Sequence, residues 1–255
     1  MTDNSTAGAG PRPTVWTAEI AESYDTPGVG MFSPDVLDPA VSRLADLAGD
    51  GDALEFAIGT GRVAIPLRER GVPVSGIENS PAMLAQLRTK ADEATIPVVL
   101  GDMATALAPG RFTLVYLVFN TISNLVTQGD QVACFRNAAR HLEPGGAFVI
   151  ELWVPELRKL PMGQNAIVAN SDPGHFCVDT YDLLRQQVVS HHFHFGEGRR
   201  AVTGRSRHRY VWPAELDLMA QVAGFELESR NSDWRGAEFT AESYSHVSVY
   251  RLPRG

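Results

Sequence analysis

Short apolar runs alternate with helical patterns between residues 53 and 152. The apolar runs predict five strands, at residues 53–58, 72–77, 97–100, 114–119 and 147–152. The spacing of apolar residues between the runs predicts helices at 63–70, 81–91 and 130–141, and a helical lead-in precedes the first strand. Strands that alternate with helices are typical of a parallel sheet covered on both faces, so the pattern predicts an α/β fold.

The pattern changes after Pro155. Alternating segments between residues 175 and 212 flank Gly196-Glu197-Gly198, which is typical of a β-hairpin and predicts an antiparallel insert. Pro213 begins a further helix that Gly224 ends, and two strands follow. We therefore expect a disordered tail (1–14), an α/β core with a helical lead-in (15–155), an antiparallel insert on the substrate side (156–212), and a C-terminal helix with two strands that complete the core sheet (213–255).

The first predicted strand ends in LEFAIGTGR, residues 54–62, with two glycines one residue apart. Such glycines let the backbone come close to a ligand where a strand turns into a helix. A triphosphate is excluded, because a P-loop requires Lys-Ser/Thr after its last glycine and Arg62-Val63 stands there. A dinucleotide stays open, because residues 59–64 match G-x-G-x-x-G/A and Glu78 follows near the position of a ribose-binding carboxylate.

Three further features distinguish these alternatives. Glu55 lies inside the first strand, Gly-Asp-Met at 101–103 ends the third, and Leu-Glu-Pro-Gly-Gly at 142–146 predicts a tight turn into the fifth. With the C-terminal pair of strands, they resemble the class I S-adenosylmethionine-dependent methyltransferases over residues 24–251. The nearest resemblance is to actinobacterial small-molecule methyltransferases, including those that dimethylate amino sugars.

The resemblance implies a seven-stranded, mostly parallel, doubly wound Rossmann-like sheet with an antiparallel terminal hairpin and an antiparallel β insert after the fifth strand. It also implies that S-adenosylmethionine is the cofactor and S-adenosylhomocysteine the product. The methyl group would pass to an O or N nucleophile of a small molecule, such as a natural-product intermediate. Two alternatives stay open: an NAD-dependent oxidoreductase and a non-catalytic S-adenosylmethionine-binding protein on the same fold.

The resemblance also implies cofactor contacts by position. Glu55 stands at the acidic position of the family's first motif, and Ala57 replaces its usual first glycine. Gly59 and Gly61 would admit the amino-acid end of the cofactor, and Glu78 would hold the ribose hydroxyls. Further contacts are implied for the adenine and methionine ends and for one aromatic wall, at Asn79, Met83, Asp102, Met103, Phe119, Asn120 and Tyr24.

A histidine-rich stretch, SHHFHF at 190–195, supplies candidate catalytic residues. A strand there would put His192 and His194 on one face and His191 on the other. A hydroxyl acceptor gains from a base near neutrality, so His192 and His194 are candidate catalytic residues. Candidate substrate contacts are Trp153, Tyr181 and His191. No metal is expected, because no Asp or Glu cluster completes a coordination sphere nearby.

Composition limits the partners. The net charge is -8, from 30 acidic and 22 basic side chains, which disfavours a nucleic acid, and we expect the cluster Arg199, Arg200, Arg205, Arg207 and Arg209 to be solvated surface. The Asn120 segment also lacks the N/D-P-P-Y/F sequence of enzymes that methylate nucleobases or glutamine. Two cysteines and a polar N-terminus favour a cytoplasmic protein with no membrane partner. A homodimer stays open.

Overall fold

A computed structural model describes residues 16–196 and 201–254. The tail expected at 1–14 and part of the expected hairpin turn, Glu197 and Gly198, lie outside the described residues. The core contains β1 (Ala53–Phe56), β2 (Val74–Glu78), β3 (Val98–Leu100), β4 (Phe112–Leu117) and β5 (Leu142–Trp153). An insert follows with β6 (Ala166–Asp172), β7 (His175–Asp182), β8 (Gln187–Phe195) and β9 (Ala201–Arg209), and the core resumes with β10 (Glu226–Asn231) and β11 (Ser245–Arg251).

The core strands form one seven-stranded sheet in the order β10-β11-β5-β4-β1-β2-β3. All pairs are parallel except those of β11, which runs antiparallel to both β10 and β5. The insert forms a separate antiparallel sheet in the order β6-β7-β8-β9. The predicted fold class is therefore confirmed, including the antiparallel terminal hairpin and the insert after the fifth strand.

The helices are α1 (Ala18–Glu22), α2 (Pro34–Ala48), α3 (Ala64–Glu69), α4 (Pro81–Arg88), α5 (Gln128–His141) and α6 (Pro213–Val222). Ser80 caps α4 as expected, because its Oγ accepts a hydrogen bond from the Met83 N–H at 3.3 Å. Pro81, at the first position of that helix, lacks the N–H that would have no partner there. The capping fixes where α4 starts, directly beside the end of β2.

Both faces of the sheet are covered at its centre, which explains why β1, β4 and β5 are mostly apolar and buried. Alternate residues of β4 pack on opposite faces: Val115 and Leu117 lie in the cluster that contains Phe135 of α5, and Leu114 lies in the cluster that contains Leu44 of α2. The carboxyl ends of the parallel strands consequently meet at one edge, where open α/β sheets bind ligands.

The tight turn predicted at 142–146 is wrong. Strand β5 already begins at Leu142, which pairs with Phe112, and the next pair joins Ala147 to Leu114. The extra residues bulge out of the strand, with Gly145 at φ +85°. Glycine and proline here mark an irregularity inside a strand, which the sequence pattern alone does not distinguish from a turn.

Arg209 joins the insert sheet to the core, and the expectation that it is solvated was wrong. Its side chain is 4% exposed and forms an ion pair with Glu215 of α6 at 2.7 Å. It also donates hydrogen bonds to the side-chain oxygens of Gln131 in α5 and Gln186. Arg205 and Arg207 are exposed as expected, and Arg199 and Arg200 lie outside the described residues.

Candidate active site

Two cavities meet at the carboxyl ends of the core strands. The core cavity, about 390 Å³, lies over the ends of β1, β2 and β3. The insert cavity, about 380 Å³, lies between the end of β5 and the insert sheet. Both sizes are in the range of small-molecule sites. The two cavities share part of their wall, formed by Trp16, Tyr24, Thr121, Asn124 and His208.

Glu78, the last residue of β2, places a carboxylate in the wall of the core cavity. One oxygen accepts the Gly59 N–H at 2.8 Å and the other accepts the Ser80 N–H at 2.7 Å. Burial raises the pKa of this carboxyl, and the backbone N–H groups of Ser80, Gly59 and Asn79 oppose the rise. Since each oxygen has a second lone-pair direction, the carboxylate can also accept two hydroxyl groups from a ligand.

The loop after β1 contributes Ala57 and Gly59 to the core cavity, but not Gly61. Ala57 adopts φ +53°, a left-handed conformation that glycine would hold more easily. Gly61 instead packs against α4: a Cβ there would lie 2.4 Å from Cδ1 of Leu87. The structure therefore places this glycine at a helix contact and outside the expected ligand contact.

The expected contacts after β2 and β3 lie together in the wall of the core cavity. These are Asn79, Met83, Asp102 and Met103. Met83 and Met103 are buried and supply apolar surface. Oδ1 of Asp102 accepts the Ala104 N–H at 2.8 Å, which fixes the carboxylate at the turn. The arrangement combines a flat apolar region with a carboxylate at its edge.

Glu55 does not line either cavity, in contrast to the sequence expectation. It is 3% exposed in β1 and accepts a hydrogen bond from the Tyr116 hydroxyl at 2.9 Å. Burial raises the pKa of the Glu55 carboxyl to about 8, although the Tyr116 hydrogen bond opposes this. The position of Glu55 in the motif does not show whether its side chain is buried against the sheet or reaches the ligand-binding edge.

The raised pKa of Glu55 gives a pH-dependent stability. The native state keeps this proton up to about pH 8, whereas the unfolded chain loses it near 4.5. The free energy of unfolding therefore falls as the pH rises from about 5 to about 8. Glu55→Gln keeps an acceptor for Tyr116 but does not titrate, so urea unfolding at both pH values should show a smaller fall in this variant. Equal falls in both proteins would contradict the burial of an ionisable carboxyl there.

Phe119 and Asn120 follow β4 and line the insert cavity. Both adopt positive φ, +53° and +61°, and are fixed by hydrogen bonds to β5. The Phe119 N–H donates to Oε2 of Glu151 at 2.8 Å, and Oδ1 of Asn120 accepts the Trp153 N–H at 2.7 Å. Two consecutive non-glycine residues in the left-handed region raise the conformational free energy of the folded chain. Such strained residues are common at ligand sites.

The helical lead-in contributes Trp16 and Tyr24 to the walls of both cavities, and their rings form a T-shaped contact at 5.4 Å. Hydrogen bonds attach this segment to the core: Ser80 Oγ donates to the Trp16 carbonyl at 3.0 Å, and Thr60 Oγ1 donates to Asp25 at 2.6 Å. Tyr24 and Trp16 are thus wall residues of both cavities, and the contact of Tyr24 with the cofactor stays a prediction.

The histidines expected to be catalytic lie outside both cavities. His192 and His194 share a strand face with Ser190, which lines the insert cavity, but they lie further along β8. His191 is on the opposite face, where its Nε2 is 3.1 Å from Thr180 Oγ1. The structure does bring Trp153 and Tyr181 into the insert cavity.

His208 of β9 is the histidine that lines both cavities, and the sequence reasoning missed it. Its Nε2 lies 2.9 Å from Ser206 Oγ, which lies 3.2 Å from Nε2 of His192. Burial lowers the pKa of His208, so its ring is neutral near pH 7. The alternation in RSRHRY puts Ser206 and His208 on one face of β9. That this face meets the cavity follows only from the strand pairing, in which His208 pairs with Val188 and Ser206 with Ser190.

The insert cavity carries two carboxylates, Asp179 and Glu156, and one ammonium, Lys159. Lys159 is already paired with Glu156 at 2.7 Å. Tyr181 lies beside Asp179, and burial with this nearby charge raises its pKa to about 12. The cavity therefore combines aromatic walls with an acidic group from β7.

The comparisons with known proteins agree with this architecture. Residues 53–146 match a family described as a methyltransferase domain. The cypemycin N-terminal methyltransferase of a Streptomyces species is 27% identical over 93% of this chain and 97% of its own. A dTDP-3-amino-3,4,6-trideoxy-alpha-D-glucopyranose N,N-dimethyltransferase of Streptomyces venezuelae is 30% identical over 47% and 48%. The solved CcbJ methyltransferase of Streptomyces caelestis is 38% identical, with a TM-score of 0.81 over 92% of this chain and 96% of that one.

The chain belongs to the S-adenosylmethionine-dependent methyltransferases. It transfers a methyl group from S-adenosylmethionine to an O or N nucleophile of a small molecule, and S-adenosylhomocysteine is the product. The NAD-dependent and non-catalytic alternatives find no support in these similarities. Within the part of the chain that the structure describes, no helix is both long and apolar enough to cross a membrane.

Proposed function

We propose that the core cavity holds the cofactor and that the insert cavity holds an amine of the methyl acceptor. The observation that carries the proposal is the shared wall, which lets a group in one cavity approach a group in the other. Bound S-adenosylmethionine supplies a methyl group activated by a sulfonium charge. The residues of the chain then have to orient the amine, exclude water and accept a proton.

The residues of the core cavity fit this cofactor. The Glu78 carboxylate accepts the two ribose hydroxyls, and Asp102 accepts from the adenine amino group. Asn79, Met83 and Met103 pack along the base, while the backbone around Ala57 and Gly59 approaches the methionine end. The volume, the buried carboxylate at the end of β2 and the second one after β3 support these roles.

The methyl acceptor is an amine in this proposal, because the insert cavity presents the Asp179 carboxylate, whereas Glu156 is paired with Lys159. Asp179 attracts an ammonium group, and Trp153 and Tyr181 pack against the carbon framework of the acceptor. The relatives named above support this choice, since one methylates an N-terminus and another an amino sugar by name. The ammonium has to lose a proton before its nitrogen can attack, and His208, neutral and at the junction, is the group placed to accept it.

The choice between amine and hydroxyl acceptors is tested with isotopically labelled S-adenosylmethionine. Matched pairs of amines and alcohols on the same sugar or peptide scaffold are incubated with the protein, and labelled products are identified by mass spectrometry. We expect labelled N-methyl products and none from the alcohol partners. Label recovered only in O-methyl products would contradict the amine proposal and leave the methyltransferase assignment standing.

His208→Gln tests the role of this histidine. The variant keeps a polar side chain beside Ser206 but accepts no proton, so we expect kcat to fall by about a hundredfold or more. The acidic limb of the pH–rate profile, which burial of His208 shifts below the ordinary range of histidine because it lowers the pKa, should also disappear. His191→Gln is the matched control, because His191 lies on the opposite face of the insert sheet. An unchanged kcat and pH profile in His208→Gln would exclude His208 as the base.

Three wider expectations are also proposals. A small-molecule acceptor, rather than a nucleic acid, is supported by the net charge of -8. A cytoplasmic location is supported by Cys134 and Cys177, which are both buried free thiols. A homodimer stays a prediction, which sedimentation equilibrium can test.

A further inference from the structure

A cluster of metal-ligating side chains lies on the insert sheet beyond the insert cavity. His175 and Cys177 of β7 and His192 of β8 each offer a donor atom, and these atoms lie within 4.8 Å of one another. The expectation of no metal was based on the lack of an Asp or Glu cluster near the histidines of β8 in the sequence. The other donors come from β7, and the strand register brings them together.

The register fixes the geometry of the cluster. Cys177 is the direct partner of His192, and His175 lies two residues before Cys177 on the same face. Nε2 of His175 is 3.1 Å from Nδ1 of His192, so the two nitrogens are within hydrogen-bond distance of each other. Two imidazole nitrogens bound to one tetrahedral ion by bonds of about 2.0–2.1 Å are about 3.3 Å apart. The separation of the two nitrogens is therefore close to the one that a shared ion requires.

A second hydrogen bond orients His192 for this role. Its other nitrogen, Nε2, lies 3.2 Å from Ser206 Oγ on β9. Metal-bound histidines commonly donate this second N–H to a neighbouring oxygen, which fixes the tautomer with the opposite nitrogen free to bind. Ser206 thus orients His192 as a metal ligand, which the pair of His175 and His192 could not do alone.

We propose that His175, Cys177 and His192 bind a zinc ion that crosslinks β7 to β8. Two imidazoles and a thiolate are ligands that suit Zn²⁺ and do not suit Mg²⁺ or Ca²⁺, and water completes the tetrahedron. The Cys177 thiol releases its proton to solvent on binding. The proton between the two histidines moves, by exchange with solvent, to the other nitrogen of its own ring, so both rings stay neutral and His175 Nε2 and His192 Nδ1 present lone pairs.

None of the three ligands lines the core cavity, although Ser206, which supports His192, does. On the same sheet face, the Cys177–His192 pair adjoins the Asp179–Ser190 pair, whose side chains line the insert cavity. A bound ion would therefore fix the register of β7 and β8 beside the acceptor, without taking part in methyl transfer. The proposal does not depend on the amine acceptor or on the role of His208.

Zinc binding to tag-free, metal-stripped protein tests the proposal. We expect one zinc per chain by elemental analysis after gel filtration, and a higher Tm with zinc than without. Cys177→Ser and His192→Gln should each lose the bound zinc and the rise in Tm. Ser206→Ala should weaken binding by about tenfold or more. The matched controls, Cys134→Ser and His191→Gln, should bind as the unaltered protein does.

Cobalt distinguishes a thiolate site from binding by histidines alone. Co²⁺ added to the metal-stripped protein should give a thiolate-to-metal absorption band that is absent in Cys177→Ser and present in His191→Gln. The proposal is overturned if the protein binds no zinc, or if zinc binding survives in both Cys177→Ser and His192→Gln. Metal-free Tm values of the variants close to that of the unaltered protein show that the loss is not due to unfolding.

Discussion

Replacing Glu78 by glutamine should weaken the binding of S-adenosylhomocysteine by about a hundredfold. Hydrogen bonds to a charged group contribute about 1.5–3 kcal/mol each, and the proposed site makes two of them to the ribose. Glutamine keeps the shape of the side chain but loses the charge. In the native protein the Gly59 and Ser80 N–H groups each donate to a different oxygen of Glu78. The NH2 group of the glutamine would replace one of these oxygens and would face an N–H group whose hydrogen bond it cannot accept. Isothermal titration calorimetry measures the loss.

The control for this variant is Glu69→Gln, an exposed carboxylate in α3. It removes the same charge from the protein and should leave the affinity unchanged. Thermal unfolding of both variants without ligand separates loss of binding from loss of fold. If Glu78→Gln bound the cofactor product as tightly as the unaltered protein, the ribose could not lie at the end of β2.

Replacing Arg209 by alanine should lower the free energy of unfolding by about 3–5 kcal/mol. Removing one partner of a buried ion pair leaves the charge of the other buried and unpaired, which typically lowers the free energy of unfolding by about this amount. Here Glu215 would keep its charge, and the side-chain oxygens of Gln131 and Gln186 would lose their donor. Urea unfolding followed by circular dichroism measures the change.

The Arg209 variant should also lose activity, because His208 is the preceding residue on β9 and depends on the same attachment to α5 and α6. Arg205→Ala is the matched control, an exposed arginine on the same strand, and it should cost less than about 0.5 kcal/mol. A cost of less than about 1 kcal/mol for Arg209→Ala would show that the ion pair does not hold the insert sheet to the core.

The core sheet could be predicted from sequence because both its faces are covered. Its central parallel strands are mostly apolar runs, and the helices between them have clear starting signals such as Ser80 and Pro81. Glu78 and Asp102 were also predictable as cavity residues, since a residue at the end of a parallel strand lies at the ligand-binding edge. In these cases the position along the chain determines the position in space.

The insert side of the site was less predictable, because a strand pattern gives two faces without saying which one meets a cavity. His192 was placed on the correct face, yet the cavity wall ends at Ser190, nearer the start of β8. His208 and the cluster at Cys177 depend on strand register, which pairs residues far apart in the chain. Arg209 looked like one of several surface arginines until its partners in α5 and α6 were known.

The central claim is that the two joined cavities hold cofactor and acceptor on either side of His208. A crystal structure with bound S-adenosylhomocysteine tests it most directly. We expect the ribose hydroxyls on Glu78, the adenine beside Asp102, and the sulfur at the wall that the two cavities share through Tyr24 and His208, facing the insert cavity. A ribose away from Glu78, or a sulfur turned away from the insert cavity, would contradict it.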